Sequence, residues 1–172
     1  MIGKTTNPLL QKTEEAIAAK VPANLKNAFQ RIITAGLKVM YDPKTNDMMA
    51  KELKSQGDPA EIAGAGVAKL LGLLMSQSKG TMPMKAGIPA GTVLLCEGLD
   101  FMEQAGLVKV DQNVLAKAMQ AMISSFLQLL GVTPDKMGQM IAQARQQQAA
   151  PKAAPPKRPA GIVAAAQQGA PA

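Results

Sequence analysis

Histidine is absent from the 172 residues, and the only cysteine, Cys96, ends the uncharged run AGIPAGTVLLC at 86–96. Without an imidazole there is no His general base and no Ser-His pair, and Cys-plus-His metal sites are excluded. A lone cysteine also excludes an intramolecular disulfide. Cys96 has no basic neighbour in sequence; a thiolate needs a positive environment, so Cys96 reads as an inert, buried thiol. Glu97, Asp100 and Glu103 follow at three-residue spacing. On a helix that spacing makes one acidic edge, able in principle to serve acid–base chemistry or a divalent cation. No second cluster accompanies it, so a solvated face or a salt bridge to a neighbouring subunit's lysine is the expected role. Gly64-Ala65-Gly66 sits inside an apolar helical run with no Gly-Lys-Ser/Thr after it, which is not the pattern of a phosphate loop. A non-enzyme is expected, with no cofactor, no metal and no small-molecule substrate.

The elements that must position these residues are helical. Trp is absent, Tyr occurs once and Phe three times, while Met numbers 12. Scarce aromatic and β-branched residues disfavour strands, and abundant Ala, Leu, Met, Lys and Gln favour helix. An all-α fold follows, with about six or seven short-to-medium helices in an adaptable Met/Ala/Leu-rich bundle. Asn7-Pro8 opens a helix to about Lys20, and Val21-Pro22 breaks it. Leu25, Phe29, Ile32, Ile33, Gly36, Leu37 and Met40 form the apolar stripe of a second helix, which Asp42-Pro43 ends. A short helix is expected at 46–55. Asp58-Pro59-Ala60-Glu61 is a capping box for a helix to about Gln77, with Glu61 reaching back to the first turn. Gly and Pro then mark 79–91 as a linker or hinge, followed by a helix from Thr92 to Ala105, closed by Gly106. Residues 107–110 read as a brief extended piece. Asp111 caps a helix to Leu130, ended by Gly131, and Thr133-Pro134 opens a last one to about 148.

Within the fourth of these helices Ala60, Gly64, Ala68, Gly72 and Ser76 recur every four residues as a ridge of small side chains. Each helical glycine costs about 1 kcal/mol relative to alanine, and the physical gain of such a ridge is close approach of a second backbone. That backbone belongs either to another helix of the same chain or to another subunit, and the ridge is the candidate helix–helix or oligomer interface. As a lone membrane span the helix is weak: the apolar run Ile62–Met75 has 14 residues, with Lys69 inside it, where about 20 are needed.

Residues 1–148 therefore read as one helical domain, and 149–172 as an Ala/Pro/Gln/Lys-rich tail, disordered unless an assembly holds it. The opening residues MIGKTTNPLL lack the apolar core of a cleavable signal. Net charge is +7, carried by lysine far more than by arginine. Without aromatic platforms or arginine clusters, base reading is not expected. Lys152, Lys157 and Arg158 are candidates for phosphate or partner contacts without sequence preference.

The Met- and Ala-rich helices with the ridge Ala60–Ser76, the charge-free stretch at 86–96 and the tail QQQAAPKAAPPKRPAGIVAAAQQGAPA together resemble a small structural protein of a tailed bacteriophage. The resemblance is strongest to the internal virion (ejection) proteins of short-tailed phages. It implies a protein packaged inside the capsid or at the portal or tail, oligomerising with itself and with other virion proteins. On release it would contribute to a conduit across the host envelope, in contact with membrane and, non-specifically, with DNA. A stationary connector, portal-associated or scaffolding protein is the alternative within that class. A non-viral, lysine-rich adaptor for polyanions is the alternative outside it.

Overall fold

Side chains that start or stop a helix set most of the boundaries. In the computed structural model residues 5–44 and 57–132 are described, and all fall in one unit, Met1–Thr133. Helix α1 (Pro8–Lys20) is capped by Asn7, whose side-chain oxygen accepts from the Leu9 N–H at 2.9 Å, and it stops at the extended Val21. A short 3-10 turn, Ala23–Leu25, leads into α2 (Lys26–Met40). There Phe29, Ile32, Ile33, Gly36 and Met40 form the buried face. Asp58 caps α3 (Pro59–Gln77) by accepting from the Ala60 and Glu61 N–H groups. Helix α4 runs Met84–Gln104, and Asp111 caps α5 (Gln112–Leu129) by accepting from Val114 N–H at 2.8 Å.

Two of the terminators act through backbone conformation. Gly106 and Gly131 lie at φ of 72° and 74°, where a Cβ is strained. The chain then folds back so that Leu107 N–H donates to the Met102 carbonyl and Val132 N–H to the Leu127 carbonyl, each at 2.9 Å. These bonds satisfy carbonyls that the helix end leaves open.

The all-α fold is as the sequence indicates; among the described residues there is no strand. Two local expectations are corrected. Residues 84–91 are helix rather than linker, so α4 starts eight residues before Thr92 and holds Pro89 in its interior. Glu61 does not close a reciprocal box: it lies 3.3 Å from Lys117 of α5, which also reaches Asp58 at 3.0 Å. The lysine holds the Asp58 carboxyl below its ordinary range. The helices expected at 46–55 and from Thr133, and the tail, lie outside the described residues.

The reason α4 overrides its breakers is burial. Thirteen of its 21 residues are buried, and it packs against each of the other four helices. A proline inside a helix removes one hydrogen bond and costs about 3 kcal/mol. Burying Val93, Leu94, Leu95 and Leu99, all 0% exposed, contributes about 1.5–3 kcal/mol each, and the larger sum wins. Gly36 and Gly91 let the packing close. A Cβ at Gly36 would collide with the Leu94 side chain, and one at Gly91 would stand 2.5 Å from Leu71 Cδ1.

Pro89→Ala is expected to restore the missing bond and stabilise the chain by about 1–3 kcal/mol, read as a higher urea midpoint. A lower midpoint would mean that the proline ring's packing outweighs the bond.

Candidate functional site

The acidic edge of α4 faces inward. Asp100 is 4% and Glu97 5% exposed, and Glu103 is half-buried. The expected solvated face, or pairing with a lysine of a neighbouring subunit, is therefore corrected for Glu97 and Asp100. Their partners come from the other end of the chain. Asp100 Oδ1 accepts from Thr6 N–H (2.8 Å), Thr6 Oγ1 (2.9 Å) and Asn7 N–H (3.0 Å), and its Oδ2 accepts from Gln104 Nε2 (2.6 Å). Glu103 Oε2 accepts from Asn7 Nδ2 at 2.7 Å, and Oε1 from Val110 N–H at 2.8 Å. Asn7 thus caps α1 with its oxygen and grips α4 with its nitrogen. The edge is a clamp that fixes the entry to α1 and the lead into α5. Burial pushes the Asp100 carboxyl up, but the Asn7, Thr6 and Gln104 donors outweigh it and hold it below its ordinary value. Every oxygen of Asp100 and Glu103 thus accepts at least one hydrogen bond from the protein. Among the described residues no group of three or more ligating side chains converges.

Glu97 belongs to a different environment. Its charge acts on Glu14, which with Leu10 is buried on α1. Each glutamate is 5% exposed, and each has an Oε1 with no hydrogen-bond partner. Burial, then the charge of Glu97, pushes the Glu14 carboxyl up to about 8. Burial and Asp100 raise Glu97 as well. Cys96 is fully buried beside them, its thiol pushed up to about 12 by burial and then by Glu14 and Glu97. That is an unreactive thiol, as its apolar sequence context indicates. Tyr41, after α2, is raised by burial and by Glu97 and Asp100. Glu14 escaped the sequence reading, although its place one turn after Leu10, and one turn before the half-buried Ala18, puts it on the apolar stripe of α1.

The small-residue ridge meets another backbone, and that backbone is its own chain's α5. Ala60, Gly64 and Ala68 are buried, Gly72 is half-buried and Ser76 is exposed. A Cβ at Gly64 would collide with the Ala118 carbonyl oxygen and stand 2.7 Å from the Met122 nitrogen. At Gly72 it would make an ordinary 3.4 Å contact with Leu129 Cδ1, and at Gly66 it would meet nothing within 4 Å. Only Gly64 is required by close approach. Of the two partners the ridge allows, a helix of the same chain takes up Gly64, and Ala60 and Ala68 are buried within that chain. Helix α3 is, by length and composition, long and apolar enough to cross a membrane, and a core helix passes the same test.

A small apolar cleft lies where α3, α4 and α5 meet, lined by Leu71, Ile88, Met122, Ile123, Phe126 and Leu127. Ile88 and Ile123 are each more than a third exposed at its edge, and Leu129 of α5 is 57% exposed. Lys152, Lys157 and Arg158 lie outside the described residues. No protein-family model, curated protein or solved structure matches the chain.

Two substitutions check this geometry. Gly66→Ala is expected to stabilise by about 0.5–1 kcal/mol through helix propensity. Gly64→Ala, two residues away, is expected to destabilise by about 1–3 kcal/mol because backbone must shift. Thermal midpoints moving in the same direction would refute the crossing. Asp100→Ala should remove the shared acceptor of the exposed Thr6 and half-buried Asn7 donors and cost about 1–3 kcal/mol, with Asp100→Asn milder; an unchanged urea midpoint in the alanine variant would refute the clamp.

Proposed function

We propose that the chain is a non-enzymatic virion protein of a tailed bacteriophage that oligomerises through helix–helix contacts. The best fit within that class is an internal ejection protein contributing to a DNA-delivery conduit across the host envelope. The reading starts from the resemblance of the sequence, and one observation of the fold carries it further: Ile88 and Ile123 are exposed at the rim of a small apolar cleft, with Leu129 exposed nearby in sequence. Because α5 takes up the ridge at Gly64, the exposed apolar patch around Ile88 and Ile123 is the better candidate for contact with a second copy or with lipid. Covering a side chain already two-thirds buried contributes only about 0.5–1 kcal/mol. Such a surface favours assembly of many copies, where weak contacts add, over a tight dimer. Before release the chain would lie inside the capsid or at the portal or tail, with other virion proteins as partners. The lysine excess, Lys152, Lys157 and Arg158 included, would make auxiliary contacts with packaged DNA.

The test is sedimentation velocity and liposome flotation of the purified chain, compared with an Ile88→Lys/Ile123→Lys variant. Concentration-dependent oligomers or liposome binding are expected, reduced at least tenfold in the variant at unchanged helicity. A monomer at every concentration that ignores liposomes would count decisively against assembly. Retention in DNA-free particles would assign the chain to a stationary connector or scaffold instead.

A further inference from the structure

Where α1, the end of α2 and α4 meet, the acids outnumber their donors. Glu14 comes from α1, Tyr41 from the end of α2, and Cys96, Glu97 and Asp100 from α4; Thr5 stands beside Glu14. No described lysine or arginine is among the groups acting on Glu14 or Glu97. Asp100 is fully matched by the donors of Thr6, Asn7 and Gln104. The glutamates are not. Glu14 Oε2 has Thr5 Oγ1 at a long 3.5 Å, and the Oε1 atoms of both Glu14 and Glu97 have no partner, although the residues are 95% buried. Two ionised carboxylates left without donors in such a place repel each other and lack solvation. A proton on each removes the charge and supplies a donor.

We propose that Glu14 and Glu97 form a proton-operated latch: α1 stays docked on α4 while the pair is protonated and comes away when it ionises. The rest of the fold is built to survive this. Leu10 and Glu14 are the only fully buried residues of α1, whereas α2, α3 and α5 hold the remainder of α4. The sign follows from the proton count. Glu14 ionises near 4.5 when undocked and near 8 when docked, so the docked state holds more protons across that interval. Docking therefore weakens as pH rises from about 4.5 to about 8, and the raised Cys96 and Tyr41 add in the same direction only in stronger base. Glu97, also raised, adds in the same direction. Asp100 works the other way: its carboxyl is held below 3.8, so its contribution is complete above that value and is lost only in stronger acid. The latch is tightest in mildly acidic solution, and opening bares the part of α4 that α1 covers.

The test is amide hydrogen exchange on the full chain at pH 5 and pH 8, corrected for the intrinsic exchange rate. Protection of amides in 8–20 is expected to fall at least tenfold between the two, with α3 and α5 unchanged. A Glu14→Gln/Glu97→Gln variant that is helical at pH 5 should lose this dependence. Equal protection of wild-type α1 at both pH values overturns the proposal, as does an undiminished dependence in the variant or a loss shared equally by α3 and α5. Should the variant not fold, 13C titration of the wild-type carboxyls decides. A glutamate ionising above pH 6.5 in step with the loss of protection supports the latch, and none ionising above pH 6 overturns it.

Discussion

The fold depends on burying one helix nearly all round. With 13 of 21 residues buried, α4 has no wide solvent face, so each polar group it carries must find a partner inside the protein. Most of the architecture answers that requirement. Neighbouring helices cover the apolar N-terminal half, where Gly91 admits Leu71 and Gly36 admits Leu94. The acidic C-terminal half is answered by the backbone of residues 6 and 7, drawn across from more than 90 positions away. The long-range hydrogen bonds and the long-range packing are thus two consequences of one buried segment.

The two halves differ in how firmly they close. Between α3 and α5 the approach at Gly64 is backbone against backbone, a contact that excludes water and tolerates little displacement. At the other end α1 is held by a charged clamp, Asp100 and Glu103, next to a pair of glutamates that lack donors. One turn of α4 carries the satisfied Asp100 and the unsatisfied Glu97, the latter acted on together with Glu14 of α1. The first fixes where α1 begins; the second sets the conditions under which it stays. Cys96 lies in the same turn but takes no part, since an ionised thiol beside two acids is disfavoured even more than they are.

What the sequence made legible was local. Asn7, Asp58 and Asp111 start helices where their side chains accept from the first turn, and Gly106 and Gly131 stop them, because caps act within a few residues. What failed was the reading of residues whose fate is decided elsewhere. Pro89 and its glycines look like a linker until α4 is seen to be enclosed. Glu97, Asp100 and Glu103 look like a solvated edge until Thr6 and Asn7 arrive. The four-residue ridge on α3 correctly signals a close crossing, but periodicity carries no information on whose backbone fills it. Only a step in distance at Gly64, absent at Gly66, distinguishes a glycine needed for packing from one that is not.

This division bears on how such a chain would assemble. A protein that is stored in one form and works in another needs a body that persists and a part whose docking depends on conditions. The α3–α5 crossing has the character of the first, since its closest atoms are main chain and the charges that span it, Lys117 with Asp58 and Glu61, stand exposed at its rim. Helix α1 has the character of the second, because removing two protons leaves two charges on the surface it shares with α4. The small apolar cleft edged by Ile88 and Ile123 lies on the persistent body, lined by α3, α4 and α5 with no residue from α1. Assembly through that patch and release of α1 are therefore separable events. Coupling between them, if it exists, must run through α4, whose N-terminal half lines the cleft and whose C-terminal half carries the latch.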